Sequence, residues 1–293
     1  MRRSSLLASA VFAATVLGSS AAFAAPINFT WNPAGVGLAG TQITNANNIS
    51  PLNDFATIQV AGDGSFNESG ALNITGFLNN ASTVTSTGLG TAGGYSLYYV
   101  FNGSGTSAGI PTTIGQTTSG TYTSLNYWLV GSTTPLPNFS ALTSTYYSTI
   151  AAANAAIGSA GDIILATGSL TGPAAGNTVS LQLTNTGLVP TANVEVTLNP
   201  CLSASAPCTG NEGAFFVDPT ALTSVLQFGN FSATGTVVTG PTPCGAFNCV
   251  FINGGGGNIT EVLAPVPEPF TLSVFGAGLV GAAALRRRKA KKA

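Results

Sequence analysis

Val179-Ser180-Leu181-Gln182-Leu183-Thr184 and Val194-Glu195-Val196-Thr197-Leu198 alternate apolar and polar side chains along their length. Successive side chains of a strand point to opposite faces, so each run gathers Val and Leu on one face and Ser, Gln, Thr or Glu on the other. That is the signature of an antiparallel sheet with one face in water. Joined by Asn185 to Ala192, the two runs read as a hairpin. Working outward, short alternating or β-branched runs recur at Phe55 to Val60, Tyr95 to Phe101, Tyr122 to Val130, Asp162 to Thr167, Val225 to Ser232 and Asn258 to Leu263. Gly, Asn, Ser and Thr separate them, and Asp63-Gly64, Asn102-Gly103 and Asn253-Gly254 offer the positive φ angles of tight hairpin turns. Ala141 to Ile157 is Ala-rich with helix-compatible apolar spacing and is expected to be a helix. With no solenoid-type repeat and no internal shift of composition, residues 25–264 are expected to form one all-β domain, an antiparallel β-sandwich or jelly roll.

The charges are few and segregated. Only 6 % of the 293 residues are charged, 44 % are hydrophobic, and His is absent. Every basic residue lies near an end: Arg2 and Arg3, then Arg286, Arg287, Arg288, Lys289, Lys291 and Lys292. The formal net charge of −1 therefore averages unlike parts, because between Arg3 and Arg286 stand only carboxylates: Asp54, Asp63, Glu68, Asp162, Glu195, Glu212, Asp218, Glu261 and Glu268. A domain without cations cannot neutralise phosphates, which excludes nucleic acid as its partner. Without His it cannot assemble a Ser-His-Asp or Cys-His nucleophile or a His-ligated zinc centre, and without Lys it has no Schiff base.

Both ends read as addresses. Arg2 and Arg3 precede an apolar stretch from Leu6 to Leu17 and the small-x-small sequence Ala22-Phe23-Ala24. This is the layout of a secretory signal peptide over residues 1–24, cleaved between Ala24 and Ala25 by signal peptidase after Sec export. At the other end, Pro265-Val266-Pro267-Glu268-Pro269 leads into an uncharged run from Phe270 to Leu285, followed by the basic residues Arg286 to Lys292. As a helix that run would extend about 24 Å, short of a hydrocarbon core of about 30 Å, which makes it a marginal transmembrane segment. The positive-inside rule puts the basic stop of Arg286, Arg287, Arg288 and Lys289 in the cytoplasm and the rest outside.

Val266-Pro267-Glu268-Pro269, the short Gly-containing apolar helix and the terminal Arg cluster together resemble the PEP-CTERM sorting signal of Gram-negative bacteria. The resemblance implies processing by an exosortase, transient anchoring in the inner membrane, and delivery to the cell surface or the exopolysaccharide matrix. Three stretches of the middle also resemble the flocculation-associated members of that group. They are Gly94-Tyr95-Ser96-Leu97-Tyr98-Tyr99-Val100-Phe101, Gly161-Asp162-Ile163-Ile164-Leu165-Ala166-Thr167-Gly168, and Phe228 to Gly235 with Phe251-Ile252-Asn253-Gly254.

Four cysteines form two close pairs in an exported chain, so disulfides Cys201 with Cys208 and Cys244 with Cys249 are expected, crossed pairings remaining open. Gly105-Thr106-Ser107-Ala108-Gly109 spells a nucleophile elbow but has no His to activate the serine. Asp63, Asn67 and Glu68 gather oxygen ligands at alternating spacing that suits calcium, the one cofactor the residues suggest, but they lack the twelve-residue loop and its bidentate Glu, so a solvated hairpin turn is the favoured reading. Glu195, Glu212, Asp218 and Glu261 are the carboxylates available for glycoside hydrolysis, yet nothing pairs them. Trp31, Tyr98, Tyr99, Tyr122, Tyr127, Trp128, Tyr146 and Tyr147 are expected mostly in the core rather than stacked on sugars. The expected function is that of a non-enzymatic surface or matrix protein acting in exopolysaccharide-associated biofilm or floc formation, with self-association through open sheet edges. A lectin-like carbohydrate-binding module, calcium-dependent or not, is the alternative.

Overall fold

The computed structural model describes residues 26–50, 52–86, 88–158, 161–171, 177–208, 212–217, 224–238 and 247–263. The expected signal peptide, the expected sorting motif, the segment Phe270 to Leu285, the basic residues Arg286 to Lys289, Cys244 and Asp218 lie outside the described residues. The strands are β1 (Phe29–Trp31), β2 (Ile43–Ala46), β3 (Asn48–Ile49), β4 (Leu52–Val60), β5 (Ser65–Ile74), β6 (Phe77–Asn79), β7 (Ser82–Val84), β8 (Ser96–Ser107), β9 (Thr117–Ser132), β10 (Ile163–Ser169), β11 (Thr178–Thr184), β12 (Gly187–Thr197), β13 (Asn199–Pro200), β14 (Ser224–Val238) and β15 (Asn248–Leu263). One α-helix, α1 (Ile150–Ile157), is described among them.

The antiparallel all-β expectation holds. Its finer form is a closed barrel. From β4 the pairing passes to β5, β8, β9, β11, β12, β14 and β15 in turn, and β15 returns to β4, every pairing antiparallel. A jelly roll needs Greek-key crossovers, whereas here ring neighbours follow one another in chain order. Closure comes from β15, whose Asn248 to Asn253 pair with β4 while its other edge pairs with β14. Further along, Ile259 and Thr260 pair with β3, which carries the small β6–β7 hairpin.

Alternation then sorts side chains between inside and outside. Phe66, Tyr99, Tyr122, Tyr127, Leu181, Val194 and Ile252 point into one interior core. The N-terminal strands β1 and β2 extend that core with an aromatic cluster in which Trp31 lies 4.8 Å from Phe29, 5.8 Å from Phe77 and 5.2 Å from Phe215 between ring centroids. On the outside, Ala71, Tyr98, Val100 and Val130 form a second core with Phe139, Leu142, Ala153 and Ile157.

That outer layer is what became of the expected Ala141 to Ile157 helix. Only its second half is α-helical: the Thr149 side chain accepts a hydrogen bond from the Ala152 amide, and Gly158 closes the helix with φ 66°. The first half is a short 3-10 turn, Ser140–Thr143, followed by a segment tied to the barrel instead. Tyr147 donates its amide to Ser69 Oγ at 2.9 Å, and Asn102 Nδ2 donates to the Tyr147 carbonyl at 2.9 Å. These bonds outcompete a helix in a stretch rich in Thr and Tyr.

Two turn expectations fail for a shared reason. Asn102-Gly103 lies within β8 and Asn253-Gly254 within β15, where Gly254 has φ 91° near register irregularities against β14. The dipeptides serve a continuing strand and a bulge, which a Gly permits as readily as a turn. Asp63-Gly64 does turn, with Gly64 at φ 86° and the Ala61 amide donating to the Ser65 carbonyl at 2.8 Å. The β11–β12 hairpin turns on Asn185 and Thr186 alone, and the remainder of the expected linker is strand, with Pro190 opposite Leu181.

One position in the ring is shared. Asn126 to Gly131 of β9 pair with β10, and Thr117 to Thr121 pair with β11. Asn177 fills the joint between them, 1 % exposed. Its carbonyl accepts from the Tyr122 amide at 2.9 Å, its Oδ1 from the Glu195 amide at 3.0 Å, and its Nδ2 donates to the Thr171 carbonyl at 3.0 Å. Replacing Asn177 with Ala removes the partner of the Glu195 amide and of the Thr171 carbonyl, both part-buried. The expected loss is about 2 kcal/mol, read as a lower urea midpoint at unchanged slope.

Candidate functional site

The interior is not completely filled. A cavity of about 60 Å³ lies between β4, β5, β8, β9, β11, β12 and β15. Since one water needs roughly 10–15 Å³ on this measure, it has room for a few waters or a small organic group. Ile58, Leu72, Phe101, Leu125, Val179 and Ile252 give it apolar walls. The cavity is partly open rather than fully enclosed.

Its polar features are acidic and phenolic. Asp54 on β4 and Glu68 on β5 occupy even positions, whose side chains point inward on those two strands, and Tyr122 faces them from β9. The Tyr122 hydroxyl donates a short hydrogen bond to Glu68 Oε2. Asp54 Oδ1 has no hydrogen-bond partner among the described residues, although Asp54 is only 8 % exposed. Burial lifts the Glu68 carboxyl to about 7, against the opposing pull of the Tyr122 hydroxyl. Burial, then the negative charge of Glu68, push the Asp54 carboxyl well above the usual carboxylate range. Tyr99, Tyr122 and Tyr127 are held well above the usual phenol range, chiefly by burial and then by the charge of Glu68 for Tyr122 and of Glu261 for Tyr127. Glu261 on β15 is fully buried.

The residues singled out from the sequence are dispersed by this geometry. Asp63 stays on the exposed β4–β5 turn, where its Oδ1 accepts from the Ser65 amide at 2.9 Å and the Ser65 hydroxyl at 2.7 Å. Glu68 points into the barrel while its neighbour Asn67 points out, so Asp63, Asn67 and Glu68 do not converge on a calcium ion. Adjacent strand residues face opposite sides, and a turn spacing read from the sequence is undone once the segment becomes β5. Of the carboxylates considered for hydrolysis, Glu195 lies on the outer face with Gln227 Nε2 donating to its Oε1 at 3.3 Å, Glu261 lies inside, and Glu212 sits in a 3-10 turn. Ser107 ends β8, with its Oγ accepting from the Gly109 amide at 3.2 Å. Trp31, Tyr98, Tyr99, Tyr122 and Tyr127 are buried, as alternation implied. Cys201 and Cys208 form a disulfide and Cys249 is disulfide-bonded. The sequence reading missed Asp54 and Glu68 as lumen residues, and the signal available was that each sits on the apolar face of an alternating run, beside Ile58 and Phe66.

The outer face carries a second feature. Across four strands the register aligns Thr106 with Thr121, Thr121 with Thr178, and Thr178 with Asn193, and beside this row Ser119 aligns with Ser180 and Ser180 with Thr191. Ser180 and Thr191 hydroxyls are hydrogen-bonded at 2.6 Å. The result is an uncharged patch of hydroxyls and an amide on the barrel wall.

The class defined is thus a closed antiparallel barrel with an acidic, tyrosine-lined lumen and a hydroxyl-bearing wall. Compared with models of known families, with curated proteins and with solved structures, the chain matches none. No helix among the described residues is long and apolar enough to cross a membrane.

The lumen carboxyls set the pH dependence of stability. Folded Glu68 keeps a proton that the unfolded chain releases above about pH 4.5, so stability falls as pH rises from about 4.5 through 7 and levels off above. Asp54 acts in the same direction. Thermal unfolding is expected at higher temperature near pH 5 than near pH 8. Glu68→Gln, which keeps the shape and removes the charge, is expected to flatten this dependence and gain up to about 3 kcal/mol near pH 8. A Tm that rises with pH in the parent chain would contradict the assignment.

Proposed function

We propose that the chain is an exported, exosortase-sorted barrel that works without catalysis at the cell surface or in the exopolysaccharide matrix of a Gram-negative bacterium, in biofilm or floc formation. Sec and signal peptidase handle residues 1–24, and the inner membrane holds the tail Phe270 to Leu285 until exosortase acts at Val266-Pro267-Glu268-Pro269. The observation that carries the matrix role is the uncharged row Thr106, Thr121, Thr178 and Asn193 on the barrel wall. Polysaccharide hydroxyls exchange water for such partners at little desolvation cost, and no cation between Arg3 and Arg286 diverts the surface to phosphates. Sorting is supported by the chain's layout, since β15 ends at Leu263, just ahead of the Pro-rich lead-in at Pro265. The barrel can then be complete while its tail is still in the membrane.

Intact-mass measurement of the protein from its host's envelope and medium tests the sorting step. A chain from Ala25 to near Pro267 is expected outside the inner membrane, and deletion of Pro267 to Pro269 is expected to leave an unprocessed inner-membrane species. Normal release after that deletion would refute exosortase sorting. For the matrix role, changing Thr106, Thr121 and Thr178 together to Val is expected to weaken cosedimentation with host exopolysaccharide by about tenfold at unchanged circular dichroism. A defined preference on a glycan array, lost with chelator, would instead favour the calcium-dependent lectin-like alternative.

A further inference from the structure

An eight-stranded barrel either fills its interior with side chains or holds one small ligand. Here the interior leaves a cavity whose mostly apolar wall is broken by two acids, Asp54 and Glu68, together with Tyr99, Tyr122, Tyr127 and Thr191. Tyr122 satisfies one oxygen of Glu68, while Asp54, which lines the cavity, keeps a buried Oδ1 with no hydrogen-bond partner among the described residues. The remaining titratable groups of the lumen are Glu261, Tyr99 and Tyr127, which add no positive charge. No Lys, Arg or His stands between Arg3 and Arg286, so the domain has no cation of its own to pair with them.

Buried carboxyls without a cation are relieved by keeping a proton or by taking in a positive ligand. A hydroxyl-rich sugar is poorly served by walls of Ile58, Leu72, Leu125 and Val194, which leave most of its polar groups unpaired. An alkylammonium ion divides as the cavity does: one charged end with three donors, and an apolar remainder.

We propose that the lumen binds a small primary amine with an apolar body, its ammonium group between Asp54 and Glu68 and its body against Ile58, Leu72, Phe101 and Val194. Binding the cation drives the two carboxyls to ionise, so amine uptake releases protons and strengthens as pH rises toward 8. This inference concerns the inside of the barrel and stands apart from the sorting signal and the outer wall.

Isothermal titration of the full-length chain with n-butylamine, n-butanol and calcium chloride tests it. At about pH 8 the amine is expected to bind at least about tenfold more tightly than the alcohol, and about tenfold more tightly than it binds at about pH 5. Near pH 6.5 its heat is expected to differ between phosphate and ACES buffers, which reports the released protons. Asp54→Asn and Glu68→Gln, both neutral and shape-preserving, are each expected to cost about tenfold in amine affinity, with the fold checked by circular dichroism. Equal affinity for amine and alcohol, amine binding unaltered in both variants, heat from calcium in place of the amine, or no amine binding at all would each overturn the assignment.

Discussion

Everything in this molecule rests on the double pairing of β15, which takes β14 on one edge and β4 on the other. Without it the remaining strands would form an open antiparallel sheet with two long free edges and one wetted face. With it, the face carrying Tyr99, Tyr122, Leu181 and Ile252 becomes an interior. The ring strands lose their free edges, so any self-association must use other surfaces, such as the outer edge of β7 or the barrel wall. Closure also explains why a second core is needed. The outside of β5, β8 and β9 is apolar at Ala71, Tyr98, Val100 and Val130, and the segment from Phe139 to Ile157 is folded over it.

Closure has an electrostatic consequence because the domain lacks cations. Asp54, Glu68 and Glu261 are taken out of water with tyrosines rather than bases around them. Burial lifts the Glu68 carboxyl to about 7, and the hydrogen bond from the Tyr122 phenol only partly offsets it. On the outside the same scarcity of charge has the opposite effect. Thr106, Thr121, Thr178 and Asn193 line up across four strands as an uncharged polar surface with neither ionic attraction nor strong repulsion. Two environments of contrasting chemistry thus arise from one composition, separated by a single layer of backbone.

Much of the strand inventory was legible because period-two alternation is a local property. β11 and β12 can be read from Val179 to Thr184 and Val194 to Leu198; the structure adds one residue to β11, starts β12 back at Gly187 and leaves Leu198 outside it. β5 was hidden, since Glu68 occupies an inward position and Gly70 the next, which breaks the apolar alternation between Phe66 and Leu72. Asn102-Gly103 and Asn253-Gly254 misled because a Gly that permits a turn also permits a close strand contact or a bulge. At Gly103 an added Cβ would sit 2.9 Å from Leu125 Cδ1. The helix over Ala141 to Ile157 was half legible: Ala-rich residues 150–157 follow their propensity, while the preceding Thr and Tyr residues are claimed by Ser69 and Asn102 from the sheet.

By itself the sequence determined the all-β class and the absence of any Lys, Arg or His between Arg3 and Arg286. Each depends on residue identity or on near neighbours along the chain. Only the tertiary structure decided that the sheet closes, that Asp54, Glu68 and Tyr122 meet around one cavity, and that threonines from β8, β9 and β11 stand in one row. Those outcomes depend on register between strands distant in sequence, which is set by the packing of a whole interior and leaves no mark in any single segment.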